Sequence, residues 1–436
     1  MNFADSDEMG RHLQSRGYQP TDDENSADAI LVNTCTVRDL AEHKASSFIG
    51  RLKDWKEEHP RGVVIVTGCA AERAKDEFKK RFPHIDLIVG AKDIAEFPKE
   101  LDQLLGKFTN YDLRFTNDVQ DTFQIVNRKS EIVNPTNSVV QYVTIMRGCN
   151  YNCSYCIVPS VRGREVYIPV ERILADVANR VKEGAKEIWL LGQTVNSYQH
   201  PDKPDYDFAD LLTDVGSVPG TERIRFISPH PYYLSEKLIQ SMANNRKVCE
   251  HIHLPVQSGS NEMLRKMKRN YTREIYMRGI KAIRKAIPDI AISTDIIVGF
   301  PGEKDADYQE TLSLVEEAGF DSAYCFKYSP RPGTLSAEWP DDIPETLKEE
   351  RVNRLLEMTE AQGKKRAAAL IGSSQEILIE DDKGNGVFRG KTRGAWRARL
   401  RQTAATIGQA RPFVLGEFVQ ARIVGTHSRE LHAELI

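Results

Sequence analysis

No apolar run in the 436 residues reaches the roughly 18 that a membrane-spanning helix requires. The charged start and short apolar stretch of a secretory leader are also missing. With 40% apolar and 28% charged residues and a mean hydropathy of −0.47, the composition suits a cytoplasmic protein with no membrane partner. Cysteine is scarce. Seven residues are a poor basis for a disulfide framework in a chain long enough for two to four ordinary cores. Histidine is sparse around residues 149–156, the nearest being His84 and His200. Acidic residues are missing altogether between Lys383 and Glu417.

Three of the seven cysteines nevertheless stand within eight residues. Cys149, Cys153 and Cys156 are spaced CxxxCxxC, directly after the β-rich run 139–146. Three thiolates are one fewer than the four that normally fill a cubane iron–sulfur cluster, so the fourth iron keeps an open position. An open iron can chelate the amino and carboxylate groups of S-adenosylmethionine and pass an electron to its sulfonium. The protein then supplies geometry and electrostatics to the cofactor's chemistry. A structural zinc site would need a fourth ligand, so Cys149, Cys153 and Cys156 are read as metal-binding and catalytic.

Net charge is −3, unevenly spread: residues 370–436 carry +3 and the remaining 369 sum to −6. The acid-free interval holds Arg389, Lys391, Arg393, Arg397, Arg399, Arg401 and Arg411, interleaved with Phe388, Trp396 and Phe413. Basic and aromatic interleaving suits phosphate attraction with base stacking, so this tail is expected to touch nucleic acid.

The pattern along the chain is α/β. Helices at 5–16, 37–58 and 72–81 alternate with strands at 29–33, 63–67 and 85–89, the rhythm of a doubly wound parallel sheet. The opening directly on a helix cap implies that a first strand is missing. Cys35 and Cys69 fall at strand ends, where such folds bind ligands; as lone thiols they read as buried structural residues. Residues 91–135 read as a helix and then a weakly patterned linker with edge strands. From 139 to 330 six βα-like units recur, with strands at 139–147, 187–192, 223–228, 251–256, 291–299 and 322–328, which makes an open (β/α)6 barrel. Residues 261–286 read as an amphipathic segment between strands, and 345–370 as a charged connector helix. Short alternating runs over 374–436 read as a small β-barrel.

Barrel sites sit on the loops after the strands, and the thiol run is on the first loop. Gly192, Gln193 and Asn196 follow strand two, suited to backbone approach and to hydrogen bonds with a cofactor amino group. Gln257, with Ser258-Gly259-Ser260, follows strand four ahead of a helix start. Ser258 or Ser260 also serves as an ordinary N-cap. Gly299 lies in an apolar ledge after strand five, suited to stacking on adenine. Arg331 is framed by prolines after strand six, suited to a carboxylate or phosphate. Cys249, Cys325, His230, His251 and His253 read as packing residues.

In order, Met1-Asn2 with Asp5-Ser6, Asn33-Thr34-Cys35, Gly68-Cys69, Gly148-Cys149-Asn150, Cys153-Ser154-Tyr155-Cys156, Leu191-Gly192-Gln193, Leu254 through Ser260, Gly299 through Glu303 and Tyr328 through Thr334 resemble the radical-SAM methylthiotransferases. The resemblance spans essentially the whole chain. It is greatest to the bacterial branch that makes 2-methylthio-isopentenyl-adenosine in tRNA, on the Met-Asn-x-x-Asp-Ser opening and the stretch 149–165. It implies three parts: a methylthiotransferase domain over 1–110, a radical-SAM partial barrel with connector helix over 135–368, and an RNA-binding TRAM-like β-barrel over 369–436. Two [4Fe-4S] clusters and S-adenosylmethionine are implied, with Cys35 and Cys69 as ligands of an auxiliary cluster. The implied reaction removes hydrogen from carbon 2 of a hypermodified adenosine beside the anticodon, at tRNA position 37, through a 5′-deoxyadenosyl radical, and joins a methylated sulfur there. The implied partners are the tRNA anticodon stem-loop and a reducing electron donor, with the chain monomeric. The same chemistry on threonylcarbamoyl-adenosine or a ribosomal-protein aspartate is an alternative, as is a non-catalytic iron–sulfur RNA-binding protein. The family's first auxiliary cysteine falls just ahead of Met1, so an incomplete auxiliary cluster and impaired sulfur insertion are expected. Asp295 stands where a glycine is frequent in radical-SAM sequences.

Overall fold

The computed structural model describes residues 2–36, 39–112, 124–128, 138–401 and 413–436. The chain divides into two compact units. One comprises Met1–Thr136, Arg147–Asn150 and Ile157–Glu165; the other comprises Asn137–Met146, Tyr151–Cys156 and Val166–Ile436.

The first unit is built on β1 (Gln19–Pro20), β2 (Ala29–Thr34), β3 (Val63–Gly68), β4 (Leu87–Gly90) and β5 (Gln124–Arg128), ordered β1-β5-β2-β3-β4 and parallel throughout. Its helices are α1 (Asn2–Gln14), α2 (Asp39–Glu58), α3 (Cys69–Arg73), α4 (Lys75–Arg81), α5 (Phe97–Asp112) and α6 (Val158–Arg162). β2 and β3 are apolar almost without interruption and buried nearly throughout, as central parallel strands must be. Alternate residues serve opposite faces. Ile30, Val32, Val64 and Val66 pack with Ile49, Leu52 and Trp55 of α2 and Phe78 of α4. Ala29, Leu31, Val63 and Ile65 pack with Met9 and Leu13 of α1 and Phe97 and Leu101 of α5. The sheet is therefore doubly wound, as expected.

β5 lies between β1 and β2 and pairs with both. One expectation needs correction. The helix expected over 72–81 starts earlier and breaks at Ala74, giving α3 and α4.

The second unit carries β6 (Val140–Thr144), β7 (Glu187–Leu191), β8 (Arg223–Phe226), β9 (His251–His253), β10 (Ala291–Val298) and β11 (Ser322–Lys327). They form two parallel three-stranded sheets, β8-β7-β6 and β9-β10-β11. Backbone bonds from Ile224 N to Lys247 O (2.7 Å) and Cys249 N to Ile224 O (3.0 Å) tie β8 to the approach of β9. Six strands thus follow in chain order, an open (β/α)6 arrangement. The covering helices are α7 (Val170–Lys182), α8 (Phe208–Ser217), α9 (Glu236–Asn244), α10 (Asn261–Lys266), α11 (Arg273–Ala286) and α12 (Asp305–Ala318). The amphipathic segment over 261–286 forms two helices. Lys268 turns left-handed (φ 56°), and the Thr272 hydroxyl then caps α11 by accepting from Ile275 N.

α13 (Glu345–Ala368) packs along β11 and leads to a closed barrel of β12 (Ser374–Asp382), β13 (Val387–Thr392), β14 (Arg397–Arg401), β15 (Phe418–His427) and β16 (Glu430–Leu435). Alternate residues Ile377, Ile379, Phe388, Ala398, Leu400, Val419, Ala421, Ile423, Leu431 and Ala433 fill it. The turn between β13 and β14 meets the polar face of β7 and β8 near the strand starts. Arg223 donates to Glu376 and to Lys391 O, while Arg225 donates to Thr392 O (2.7 Å) and Arg393 O (2.8 Å) and pairs with Glu187 (2.9 Å). These two arginines are 1–2% exposed. Burial drives Glu187 up, but Arg225, Lys391 and Arg223 outweigh it and hold the carboxyl below its ordinary value.

Candidate functional site

The thiol loop is shaped by its glycine. Gly148 has φ 78°, and a Cβ there would lie 2.0 Å from Arg164 O. Cys149 follows, buried, its N–H donating to Gly163 O at 3.1 Å. In the second unit Ser154 anchors the loop three ways: its N–H to Met267 O (3.2 Å), its hydroxyl to Lys266 O (2.8 Å), and its carbonyl accepting from Ser336 N (2.8 Å). The thiol loop is thereby braced by the segments after β9 and β11. Cys153 is buried, and Cys156 N donates to Cys153 O at 3.0 Å. Arg269 donates to Cys153 Sγ (3.3 Å) and to Tyr271 Oη (3.0 Å). Burial opposes its charge, but Tyr271, Tyr155 and Cys153 keep the guanidinium protonated. Arg269 was not singled out in sequence. Its signal lies in the polar Lys268-Arg269-Asn270 break inside an otherwise helical pattern.

Among the described residues no three His, Cys, Asp or Glu side chains converge as around one metal ion. A cubane takes one thiolate per iron, so its ligands stand apart rather than meet at a point. The donors are of the kind such a cluster takes: two thiols on a braced loop, one beside a permanent cation that favours thiolate and sulfide charge, with Cys149 four residues before Cys153 in the chain.

The other sequence-predicted positions separate into two kinds. Gln193 keeps its Oε1 buried and without a hydrogen-bond partner, an acceptor suited to an ammonium group. Gln257 sits left-handed (φ 72°) atop β9, bonded through its backbone to Asp295 O and Ile297 N. Gly192 and Gly259 are packing glycines: a Cβ would lie 2.4 Å from Met146 Cγ and 2.5 Å from Glu310 O. Gly299 is left-handed (φ 69°), and its N–H caps Glu303 at 2.7 Å. Asn196 is engaged elsewhere than expected, its oxygen accepting from His230 N (2.7 Å) and its amine donating to His230 O (3.0 Å). The Arg331 carbonyl closes a turn with Thr334. Ser260 is the N-cap of α10. His230 stacks on Tyr151 (4.2 Å, 13°), and burial pushes its imidazole down to about 2, so it is neutral packing.

In the first unit Cys69 opens α3, buried beside Ile157 and Val161 of the α6 segment. Burial raises its thiol, while the Arg162 guanidinium and hydrogen bond pull it down and Cys35 lies close enough to raise it again. Arg162 donates to Asp5 (2.7 Å) and Asn2 (2.9 Å), and Arg147 also pairs with Asp5, which is wholly buried. Cys35 and Cys69 are thus brought together under a fixed positive group.

The tail departs from expectation. Phe388 and Phe413 pack on each other in the barrel core (5.0 Å, 80°), with Trp396 against the same core. Arg393 is bound to Glu250 and to Val248 O, Lys391 pairs with Glu380, and Arg389 with Glu430. Alternation along β13 puts Phe388 inside, and Trp396 and Phe413 pack against the same core, where a linear reading placed all three at the surface. Arg397 and Arg401 are exposed. Arg411 lies outside the described residues.

Residues 143–315 match the radical SAM superfamily and residues 1–90 the uncharacterized protein family UPF0004. The tRNA-2-methylthio-N(6)-dimethylallyladenosine synthase of Clostridium botulinum (strain Langeland) is 41% identical over 443 residues, covering 100% of this chain and 95% of the relative. The enzyme of that name from Endomicrobium trichonymphae is 42% identical over 393 residues, 90% of this chain and 89% of the relative. Among solved structures, the radical S-adenosylmethionine methyltransferase TsrM from Kitasatospora setae superposes with a TM-score of 0.56 at 14% identity, over 77% of this chain and 74% of that one, a likeness of fold alone. On full-length identity at this level, the chain belongs to the radical-SAM methylthiotransferase family of tRNA-2-methylthio-N(6)-dimethylallyladenosine synthases.

Proposed function

We infer that this protein adds a methylthio group to carbon 2 of N6-dimethylallyladenosine in tRNA, at position 37 of the anticodon stem-loop. The observation that carries the reading is identity of about four residues in ten over the whole chain to synthases of that product. When bound, the iron–sulfur clusters and S-adenosylmethionine supply the electron, the hydrogen-abstracting chemistry and the transferred sulfur. Cys149, Cys153 and Cys156 hold one cluster. Ser154 fixes the loop that presents them, and Arg269 balances the charge at Cys153. Gln193 Oε1 takes the ammonium of S-adenosylmethionine, and the turns at Gln257 and Gly299 frame the rest. Cys35 and Cys69 hold the auxiliary cluster, with Arg162 favouring anionic sulfur beside them. The functional division is 1–110, 135–368 and 369–436, the last part contacting RNA through Arg397, Arg399 and Arg401. No described helix is long and apolar enough to cross a membrane. The protein works as a monomer in the cytoplasm with a reducing protein or small-molecule donor.

The test is nucleoside mass spectrometry of tRNA incubated anaerobically with reconstituted protein, S-adenosylmethionine and dithionite. 5′-Deoxyadenosine is expected, with slow conversion of dimethylallyladenosine to its 2-methylthio form, because Cys35 and Cys69 give the auxiliary cluster two thiols instead of the implied three. Modification only of threonylcarbamoyl-adenosine, or no formation of 5′-deoxyadenosine, would overturn the reading.

A further inference from the structure

The inner face of the second half of the barrel carries a polar row that no step above uses. On β9 and β10 the residues Ile252, Ile292, Ile296 and Val298 pack with the helices. The alternate residues His251, His253, Ser293 and Asp295 therefore face the other way. Register places Asp295 opposite Tyr324 of β11. His253 is held at both ring nitrogens, Nδ1 against Ser293 Oγ (2.9 Å) and Nε2 against Asp295 Oδ2 (3.2 Å). Among the described residues Asp295 Oδ1 has no hydrogen-bond partner, and the Asp295 side chain keeps 30% of its exposure. Tyr324 is 53% exposed, with its ring 5.8 Å from that of His253.

The row points at the thiol loop. Ile297, one alternation above Asp295, packs against the group Met263, Met267, Phe300 and Tyr328, and so does Tyr155, which lies between Cys153 and Cys156. One alternation along a strand is roughly 7 Å. A carboxylate only accepts hydrogen bonds. The base of an N6-substituted adenosine has one donor, N6–H; its ring nitrogens are acceptors.

We propose that Asp295 binds the N6–H of the target adenine, with His253 as the positioning residue and Tyr324 as the surface on which the base lies. This rests on the reading of the chain as an adenosine methylthiotransferase. Hydrogen removal from carbon 2 needs the base held at a distance of about 3–3.5 Å from the reacting group. A fixed acceptor for N6–H together with an aromatic wall supplies that hold.

The experiment measures binding of two anticodon stem-loop RNAs to the full-length protein. One carries N6-dimethylallyladenosine, and the other carries its N6-methylated derivative, which has no N6–H. Wild type is expected to prefer the first by about tenfold or more, the weight of a hydrogen bond to a charged group. Asp295→Ala is expected to erase the preference, and Asp295→Asn, of the same shape, to reduce it severalfold. Tyr324→Ala is expected to weaken both RNAs together and leave their ratio intact. No preference in wild type, or a preference that survives both Asp295 variants, would overturn the proposal. Loss of preference in the Asp295 variants without any 2-methylthio product from wild type would keep the base site and sink the assigned reaction.

Discussion

Single side chains decide the chemistry here, and their charge states can be tested one at a time. Glu303 is buried, with one oxygen lacking a partner, and burial raises its carboxyl from 4.5 to about 6 despite Gly299 N and Arg351. A raised folded value means that the folded state holds the proton more tightly than the unfolded chain. Stability from this group is therefore present below 4.5 and falls as pH rises to 6, by about 2 kcal/mol. The wild-type minus Glu303→Gln difference in thermal midpoint, followed from pH 4 to 7, should decline through that window; a flat difference would contradict the assignment. Gly148 makes a second test. Its left-handed backbone alone costs a side chain roughly 1–2 kcal/mol, and Arg164 O occupies the space a Cβ would need. Gly148→Ala should lower both the thermal midpoint and the iron bound on reconstitution.

Elements were mostly legible because period and burial agree. β2 and β3 are mostly apolar runs, and α7 shows an apolar stripe of Val170, Ile173 and Val177, so α7 falls on the residues the pattern gives. The failures have local causes. Lys268 adopts a left-handed turn that no glycine announces, which splits α10 from α11 and aims Arg269 at Cys153. Asn196 has the right residue type at the right loop, yet its amide is occupied by the His230 backbone, a partner 34 residues away that spacing cannot reveal. The turn between β13 and β14 seals onto β8 through Arg225 and Glu187, both essentially unexposed. Removing one member of such a buried pair costs about 3–5 kcal/mol. Arg225→Ala should therefore shift the urea midpoint of the second unit strongly, whereas exposed Arg401→Ala should not.

At the scale of the molecule, the order of parts was readable from the alternation of patterns, and the thiol loop from spacing alone. What composition could not say is which basic residues of the tail face solvent, because strand alternation and docking onto the barrel decide that. Arg393 is engaged with Glu250, so its loss should reduce stability more than RNA affinity. Neutralising Arg397, Arg399 and Arg401 together should weaken tRNA binding and reduce the slope of log affinity against log salt by up to about 2–3. Binding unchanged at several salt concentrations would remove the tail from the RNA site.

The central claim is that one loop of three thiols drives the chemistry while Cys35 and Cys69 serve sulfur transfer. The most direct measurement compares 5′-deoxyadenosine, 2-methylthio product and iron per chain in wild type, in the Cys149/Cys153/Cys156→Ala variant and in the Cys35/Cys69→Ala variant. The first variant should lose about four irons and all 5′-deoxyadenosine. The second should keep 5′-deoxyadenosine and lose the methylthio product. A first variant that still cleaves S-adenosylmethionine, or a second that still transfers sulfur, would contradict the account.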